Sequence, residues 1–318
     1  MSPLRSASKT LAYGVAAVLL LASCSSGGGS QAGNGHGPKF EGTFSAEFGL
    51  RTTVFGTQVP DTTISVKWVA RSTCADAGCV ATATEVRPDN PGDPRPPTMV
   101  FDLVNDSWVS VREVPSLCEN SKGEPINVQG WQAYTLKPQP DGTLVGTYTN
   151  RSSIGGACNN SSQSVTVKHT GDVDSAVAVA DPAAQASRVS SPGLALWGNY
   201  RQTQTDPQSG EVYPTTDYTG NTQCLRTGDR CLTYLVDPQS KALLVLTYAD
   251  GKWTSASAPI DEQCPNGQPG FSVLTGEFPL PQPVSDPIKS LTGSQRTVRT
   301  GACPASLTLA VKLDRIGD

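Results

Sequence analysis

Short runs in which apolar and polar residues alternate dominate the chain from about residue 40 onward. The clearest runs are Ile64, Val66, Trp68 and Ala70; Leu232, Tyr234 and Val236; Leu243, Val245 and Thr247; and Leu307, Leu309, Val311 and Leu313. Alternation with a period of two is typical of strands that bury one face, and turn-forming pairs such as Asn105-Asp106 and Asp250-Gly251 separate the runs. No window favours a long amphipathic helix. The pattern predicts an all-β protein made of short antiparallel strands.

The cysteines reveal an internal repeat. After Cys24, the gaps between successive cysteines are 5, 39 and 40 residues in a first set of four, and 7, 33 and 39 in a second set. Trp108 precedes the third cysteine of the first set by ten residues, and Trp253 precedes its counterpart by eleven. We expect two tandem copies of one unit, each with about eight strands in an up-and-down meander that forms a small barrel or a strongly curved sandwich.

The repeat also sets the expected domain boundaries. The copies begin at Phe40-x-Gly42-x-Phe44 and at Leu196-x-Gly198-x-Tyr200, and the stretch between them is rich in small residues and closed by Ser191-Pro192-Gly193. Such a composition is typical of a linker. The prediction is β domain 1 over 39–171, a linker over 172–193 and β domain 2 over 194–318. Each domain is long enough to bury a modest core of its own.

The first 23 residues have the pattern of an export signal. Arg5 and Lys9 precede an apolar run over 11–21, which is shorter than the about 20 residues that span a bilayer. Leu21-Ala22-Ser23-Cys24 resembles the lipobox of bacterial lipoproteins, which implies cleavage of residues 1–23 and acylation of Cys24, palmitate included. The alternative is an ordinary secretory signal with a coincidental cysteine. Residues 24–38 would be a flexible Gly/Ser-rich tether, and two or more acyl chains would anchor the protein to the outer face of the cell membrane.

Export to an oxidising compartment makes disulfides the expected state of the other eight cysteines. If Cys74 ends one strand and Cys79 begins the next, a bridge between them closes a hairpin, and Cys118 and Cys158 then fasten loops at one end. By repeat equivalence the predicted pairs are Cys74–Cys79, Cys118–Cys158, Cys224–Cys231 and Cys264–Cys303, with other connectivities left open. The cysteine gaps and the presence of only two histidines argue against a metal site.

Charge and motifs exclude several classes of function. Lys and Arg number 24 against 28 Asp and Glu, for a net charge of −4, and no basic cluster is present, so nucleic acid is not an expected partner. His169, the sole histidine in either predicted domain, is expected to be a solvated residue at a strand end. The acids Asp102, Glu113 and Glu119 lack a diagnostic spacing for glycoside chemistry. We predict no catalytic residue, no metal and no cofactor.

Several landmarks together resemble a known family. The aromatic-Gly starts, the Cys-x(4–6)-Cys hairpins, a Trp about ten residues before a third Cys, and Gly-Ala-Cys before the last strand are similar to repeats of mycobacterial-type surface lipoproteins. They also resemble the extracytoplasmic four-cysteine domains of some membrane Ser/Thr protein kinases. The chain has no kinase signature. The resemblance implies an exported sensing or binding module without its own signalling enzyme.

The expected function is therefore a non-enzymatic binding or interaction module of the cell envelope, held by the acyl chains on Cys24, with an unknown envelope ligand or protein as partner. The first alternative is a lipid or glycolipid carrier, which requires a large cavity lined by Ile64, Val66, Trp68, Phe101 and Leu103. The second alternative is an envelope hydrolase, which requires acids that converge in a cleft.

Overall fold

The computed structural model describes residues 39–318 except 61, 77, 88–89, 120–122, 156–157 and 159. The predicted signal peptide, Cys24 and the tether lie outside the described residues. Across the described part, the regular structure is almost entirely antiparallel β, apart from short 3-10 turns at Pro182–Ala184 and Pro192–Ala195. None of the helical segments in this part has the length and apolarity that a membrane crossing requires.

The first sheet closes into an eight-stranded barrel, barrel 1. Its order is β1-β4-β5-β6-β7-β8-β9-β10, and pairing of β10 with β1 closes the ring, while the hairpin β2–β3 extends from β10. The strands are β1 (Gly42–Phe48), β2 (Arg51–Thr53), β3 (Gln58–Val59), β4 (Ile64–Ala75), β5 (Gly78–Arg87), β6 (Asn90–Val104), β7 (Ser107–Glu119), β8 (Pro125–Pro138), β9 (Leu144–Ser152) and β10 (Ser161–Gly171).

The second sheet closes in the same way into barrel 2. Its order is β11-β12-β13-β14-β15-β17-β18-β19, with β19 paired to β11. The strands are β11 (Gly198–Thr205), β12 (Thr216–Cys224), β13 (Cys231–Asp237), β14 (Ala242–Ala249), β15 (Lys252–Ala256), β16 (Ile260–Gln263), β17 (Pro269–Pro279), β18 (Ser290–Gly301) and β19 (Ala305–Gly317). Strands β15 and β16 pair with successive parts of β17. Together they occupy the place of the single strand β7 of barrel 1, which pairs with β8.

The prediction of an all-β fold with two eight-stranded antiparallel meanders is confirmed, and each meander is a closed barrel. Matching hairpins join β6 to β7 and β14 to β15 through two-residue turns. Asn105 and Asp106 have φ of 47° and 59°, and Asp250 and Gly251 have φ of 51° and 75°. Two successive positive φ angles define the turn that follows the right-handed twist of a hairpin, which explains the Asn, Asp and Gly at these positions.

Packed side chains fill both barrels. In barrel 1 the interior is aromatic: Phe40, Trp68, Phe101 and Trp108 are fully buried, and the rings of Trp68 and Tyr134 meet edge to face with centroids 5.4 Å apart. In barrel 2, Tyr200, Trp253 and Phe278 pack with leucines. Of the five residues predicted to line a cavity in barrel 1, all but Ile64 belong to this packed core or pack against it: Val66, Trp68, Phe101 and Leu103. The Ile64 side chain is 54 % exposed, because Ile64 lies at the first position of β4.

Four disulfides fasten the loops of the barrels: Cys74–Cys79, Cys118–Cys158, Cys224–Cys231 and Cys264–Cys303. Cys74 and Cys79 are directly paired across the β4–β5 hairpin, and Cys224 and Cys231 occupy the same place on β12–β13. These are the pairs that the repeat predicts, and each bridge stays within one barrel.

The segment between the barrels follows the outside of barrel 1. Val177 is buried against Val69 of β4 and Val86 of β5. The hydroxyls of Thr82 and Thr84 donate hydrogen bonds to the carbonyls of Ala180 and Ala178, at 2.6 and 3.1 Å. Apolar and polar contacts therefore fix this segment on the barrel surface.

Candidate functional site

The two barrels meet through an apolar cluster. Trp131 of β8 is fully buried against Leu232 and Tyr234 of β13 and Val245 of β14. On β13 and β14 the alternate residues Leu235, Leu244 and Leu246 face the interior of barrel 2. Both faces of these two strands are therefore covered, one by the barrel core and the other by barrel 1.

A buried hydroxyl joins the barrels next to this cluster. Tyr234 Oη donates to the carbonyl of Ser152 at 2.6 Å, accepts from the Ser152 N–H at 2.9 Å, and lies 2.9 Å from Oδ1 of Asn160. The Arg151 guanidinium lies 4.9 Å from the centre of the Tyr234 ring. Burial raises the pKa of Tyr234 to about 12 and lowers the pKa of Arg151. The hydroxyl is thus neutral at ordinary pH and able to donate.

Two ion pairs cross the same boundary. Arg226 of barrel 2 binds both carboxylate oxygens of Asp102, at 2.7 and 3.1 Å, and Arg188 from the connecting segment lies 3.5 Å from the same carboxylate. Arg230 contacts Glu113 at 2.6 Å, and burial raises the pKa of Glu113 while Arg230 partly opposes that shift. The candidate acids Asp102 and Glu113 therefore bind arginines, and Glu119 is exposed.

The wall of barrel 2 splits at this interface. Strands β14 and β15 pair only at Thr247 with Thr254, Tyr248 with Trp253 and Ala249 with Lys252, next to their turn. Farther from the turn the two strands separate. Ala242–Leu246 of β14 pair with β13 alone, and Ser255 and Ala256 of β15 pair with β17 alone. The corresponding strands of barrel 1, β6 and β7, also pair at three positions only. Barrel 2 differs because its split opens beside the other barrel.

A groove of about 400 Å³ occupies this split, and we call it the wall groove. Its lining is Val54, Phe55, Gly155, Cys158 and Asn160 from barrel 1, and Lys241, Leu243, Leu244, Val245, Ser255, Ala256, Ser257, Ile260 and Leu274 from barrel 2. Lys241 is the sole charged residue of the lining, and it forms no ion pair with a described carboxylate. Ser255 is 7 % exposed, and its hydroxyl has no hydrogen-bond partner. A mainly apolar groove with a few polar groups is the usual form of a ligand site.

Two other grooves are less suited to a ligand. One of about 430 Å³ lies between the β4–β5 hairpin and the connecting segment, where Asp102 and Arg188 already neutralise each other. Another of about 580 Å³ lies on the outside of barrel 2 around Thr216, Asp237 and Gln239, and its lining is largely polar. Of these three grooves between described residues, the wall groove combines a mainly apolar lining with an unpaired lysine.

The residues singled out from the sequence are placed as follows. Trp68, Trp108, Trp131 and Trp253 are fully buried, whereas Trp197 is 39 % exposed and donates its indole N–H to Asp286 at 2.8 Å. His169 is exposed at the end of β10, with its ring 5.3 Å from the ring of Phe44. Within the described ranges, no cluster of three or more His, Cys, Asp or Glu side chains could hold a metal ion.

Comparison with known proteins agrees with this architecture. Residues 37–184, just under half of the chain, match the family model of the PknI serine/threonine-protein kinase sensor domain. The matched part contains all of barrel 1 and the start of the connecting segment. The resemblance to extracytoplasmic kinase domains is therefore confirmed there, and the match supports an extracytoplasmic sensing or binding module. Barrel 2 lies outside the matched residues and shares the strand order and the hairpin disulfide of barrel 1.

Two solved structures are also similar. The monomer form of the M. tuberculosis PknI sensor domain is 22 % identical, with a TM-score of 0.36 over 46 % of this chain and 97 % of that one. The dimer form is 24 % identical, with a TM-score of 0.33 over 38 % of this chain and 80 % of that one. No curated protein matches the chain.

Sequence reasoning did not identify the wall groove or the polar contacts between the barrels. Lys241, Ser255 and Arg226 belong to no motif, and the groove depends on where two strands separate. One signal was available. Strand β13 reads Cys-Leu-Thr-Tyr-Leu-Val, apolar on both faces, which is typical of a strand covered on both sides.

Proposed function

We propose that the chain is an extracytoplasmic binding module that is anchored to the outer face of the cell membrane through acylated Cys24 and binds its ligand in the wall groove. The observation that carries the binding role is the groove itself, which joins both barrels and contains a buried hydroxyl without a partner. The match of barrel 1 to a kinase sensor domain supports the same role. Four disulfides support an oxidising, extracytoplasmic compartment.

The anchor is proposed from the sequence Leu21-Ala22-Ser23-Cys24 and the core-free tether that follows. In wild-type protein we expect a mass that corresponds to cleavage before Cys24 and addition of acyl chains, and partition into a detergent phase. Cys24→Ala should leave the protein unprocessed or release it from the membrane. An unmodified Cys24 in the wild-type protein would contradict the anchor.

Ligand binding can be tested by native mass spectrometry of the mature protein purified from its own envelope. Ala256 is exposed in the groove lining, so Ala256→Trp should fill the groove and remove the bound mass. Val212→Trp, at a residue 61 % exposed and outside the groove, is the matched control. A bound mass that survives Ala256→Trp would place the ligand elsewhere.

The second candidate is a lipid or glycolipid carrier, and the apolar lining of the same groove is the observation that favours it. In that case the bound mass extracts into organic solvent. The core packing of Trp68, Phe101 and Leu103 gives no support to a lipid within barrel 1. A hydrolase receives no support from Asp102 and Glu113, because arginines of barrel 2 bind both carboxylates. Action without catalysis is part of the proposal.

A further inference from the structure

The split that forms the wall groove has a free strand edge on one side. Ala242–Leu246 pair with β13 on one side, and among the described pairings no strand lies on the other. In an antiparallel strand, alternate residues direct their N–H and C=O groups to each side, so two or three residues of this edge point those groups into the split. A free edge of this kind is a template for another extended chain.

The opposite side of the split already accepts main-chain contact. Gly155 of barrel 1 forms an isolated parallel bridge with Ser257, which follows β15. A Cβ on Gly155 would lie 3.4 Å from Cγ2 of Val245, so Gly155 also lies beside side chains of β14. Gly155 thus forms part of the groove lining, between the segment that follows β15 and the side chains of β14.

The chemistry of the edge distinguishes between an extended peptide and an alkyl chain. An alkyl chain in the groove would displace water from the N–H and C=O groups of β14 and leave them unpaired, at a cost of about 1–3 kcal/mol for each buried group. An extended peptide would pair with those groups and place alternate side chains against the apolar lining. This is the usual way in which a peptide adds to a sheet edge.

Charge indicates what the peptide carries. Lys241 is exposed, directly precedes the free edge and is the one charged residue of the lining. A peptide paired along Ala242–Leu246 therefore brings one of its ends to the ammonium group. Ser255 lies on the other wall of the groove, but its hydroxyl is buried, so the charge at Lys241 is the polar feature that selects the peptide.

We propose that the wall groove binds an extended peptide segment with alternating apolar side chains and a carboxylate at one end, which adds as a strand to the free edge of β14. This inference rests on the proposed function and specifies its ligand class. The carboxylate, from a side chain or a chain terminus, lies at Lys241.

The test uses a random heptapeptide library displayed with free carboxyl termini, selected on the full mature chain and counter-selected on Ala256→Trp. Enriched peptides are then synthesised in three forms. The first is unmodified. The second, the amidated form, has its terminal and side-chain carboxyl groups converted to amides, and the third is N-methylated at alternate residues. Dodecanoate is the alkyl probe. Lys241→Gln tests the charge, and Lys289→Gln, an exposed lysine outside the groove, is its control.

We expect enriched peptides to alternate apolar residues and to lose about ten-fold in affinity on N-methylation of one register but not the other, a change of about 1.4 kcal/mol. Lys241→Gln should weaken the acidic form and leave the amidated form unchanged, while Lys289→Gln changes neither. The N-methyl comparison uses the wild-type protein, so it does not depend on the folding of a variant.

Other results would overturn the inference. If dodecanoate binds wild type but not Ala256→Trp, and no peptide is enriched, the groove binds an amphiphile, and the proposed binding function stands without the peptide. Equal affinity of the unmodified and N-methylated peptides would exclude strand addition. If neither peptides nor the native bound mass distinguishes wild type from Ala256→Trp, both the inference and the proposed site are wrong.

Discussion

Barrel 1 and barrel 2 have the same topology but different interiors. Barrel 1 is filled by aromatic rings, including Phe44, Trp68 and Tyr134, whereas barrel 2 relies more on Leu244, Leu246 and other aliphatic side chains. The elements that the two barrels share are the paired cysteines, the tryptophan beside a two-residue turn and the order of the strands. Cores tolerate exchange of side chains when volume and pattern are kept, and these two barrels illustrate it.

The second difference concerns the strand after the turn. In barrel 1, β7 is continuous along β8, whereas in barrel 2 the matching line is interrupted between Ala256 and Ile260. Pro259 lies in that interruption, and proline has no N–H to give to a sheet. The interruption and the split from β14 lie at the wall groove, so one copy of the repeat has a groove where the other has a continuous strand.

The comparison is tested most strongly at the equivalent tryptophans. Trp108→Ala and Trp253→Ala are each expected to lower the free energy of unfolding by about 3–5 kcal/mol, because each empties a fully buried core position. Urea unfolding followed by circular dichroism measures the loss. Trp197→Ala, at the partly exposed tryptophan, is the control and should change stability far less. A small effect at either core position would contradict a shared structural role.

The long and short disulfides should differ in the stability that they contribute. Replacing Cys118 and Cys158 together by Ala, or Cys264 and Cys303, should cost at most about 4 kcal/mol, because each bridge closes a loop of about 40 residues. Removal of Cys74–Cys79 or Cys224–Cys231 should cost at most about 2 kcal/mol. Peptide mapping without reductant checks the pairs, and a peptide that links residues 39–171 to residues 194–318 would refute them.

Loss of the Asp102 carboxylate should weaken the contact between the barrels. Asp102→Asn leaves Arg226 and Arg188 without their partner in a site where the Asp102 side chain is 8 % exposed, so we expect a loss of about 3 kcal/mol. Glu47→Gln is the control, because the Glu47–Lys168 pair is half exposed and should contribute no more than about 1 kcal/mol. If the two variants lower the free energy of unfolding equally in urea, Asp102 does not stabilise the contact between the barrels.

Tyr234→Phe should have the smallest effect, about 1–3 kcal/mol, because it removes one hydroxyl and leaves the carbonyl of Ser152 unpaired. It also changes the pH dependence. The folded pKa of Tyr234, about 12, lies above the ordinary value of 10.0, so its contribution is complete below pH 10 and is lost as the pH rises to about 12.

Unfolding measured from pH 9 to pH 12 should therefore have a shallower slope in Tyr234→Phe than in the wild type. Tyr148 and Tyr200 have raised pKa values of about 12 as well, so part of the slope remains in the variant. An unaltered slope in Tyr234→Phe would contradict the buried, neutral hydroxyl between the barrels.

Alternation, turn residues and cysteine spacing were sufficient to predict the strands, the tandem repeat and the all-β class. They are local signals: a strand with one covered face alternates, a hairpin turn requires positive φ, and a duplicated unit repeats its landmarks at fixed spacing. Asn105-Asp106 and Asp250-Gly251 illustrate this, because the two turns have the conformation that their residue types predict. The division into domains 39–171 and 194–318, and the acylation of Cys24, stay predictions.

Only the tertiary structure decided what each apolar face covers. Leu232, Tyr234 and Val236 alternate as a core face would, yet they lie against barrel 1, while Cys231 and Leu235 face the core of barrel 2. Alternation specifies that a face is buried but carries no information on the partner, because the hydrophobic effect is not directional. The wall groove likewise appears only in the tertiary structure, because its lining residues lie far apart in the sequence and are brought together by sheet closure and by contact between the barrels.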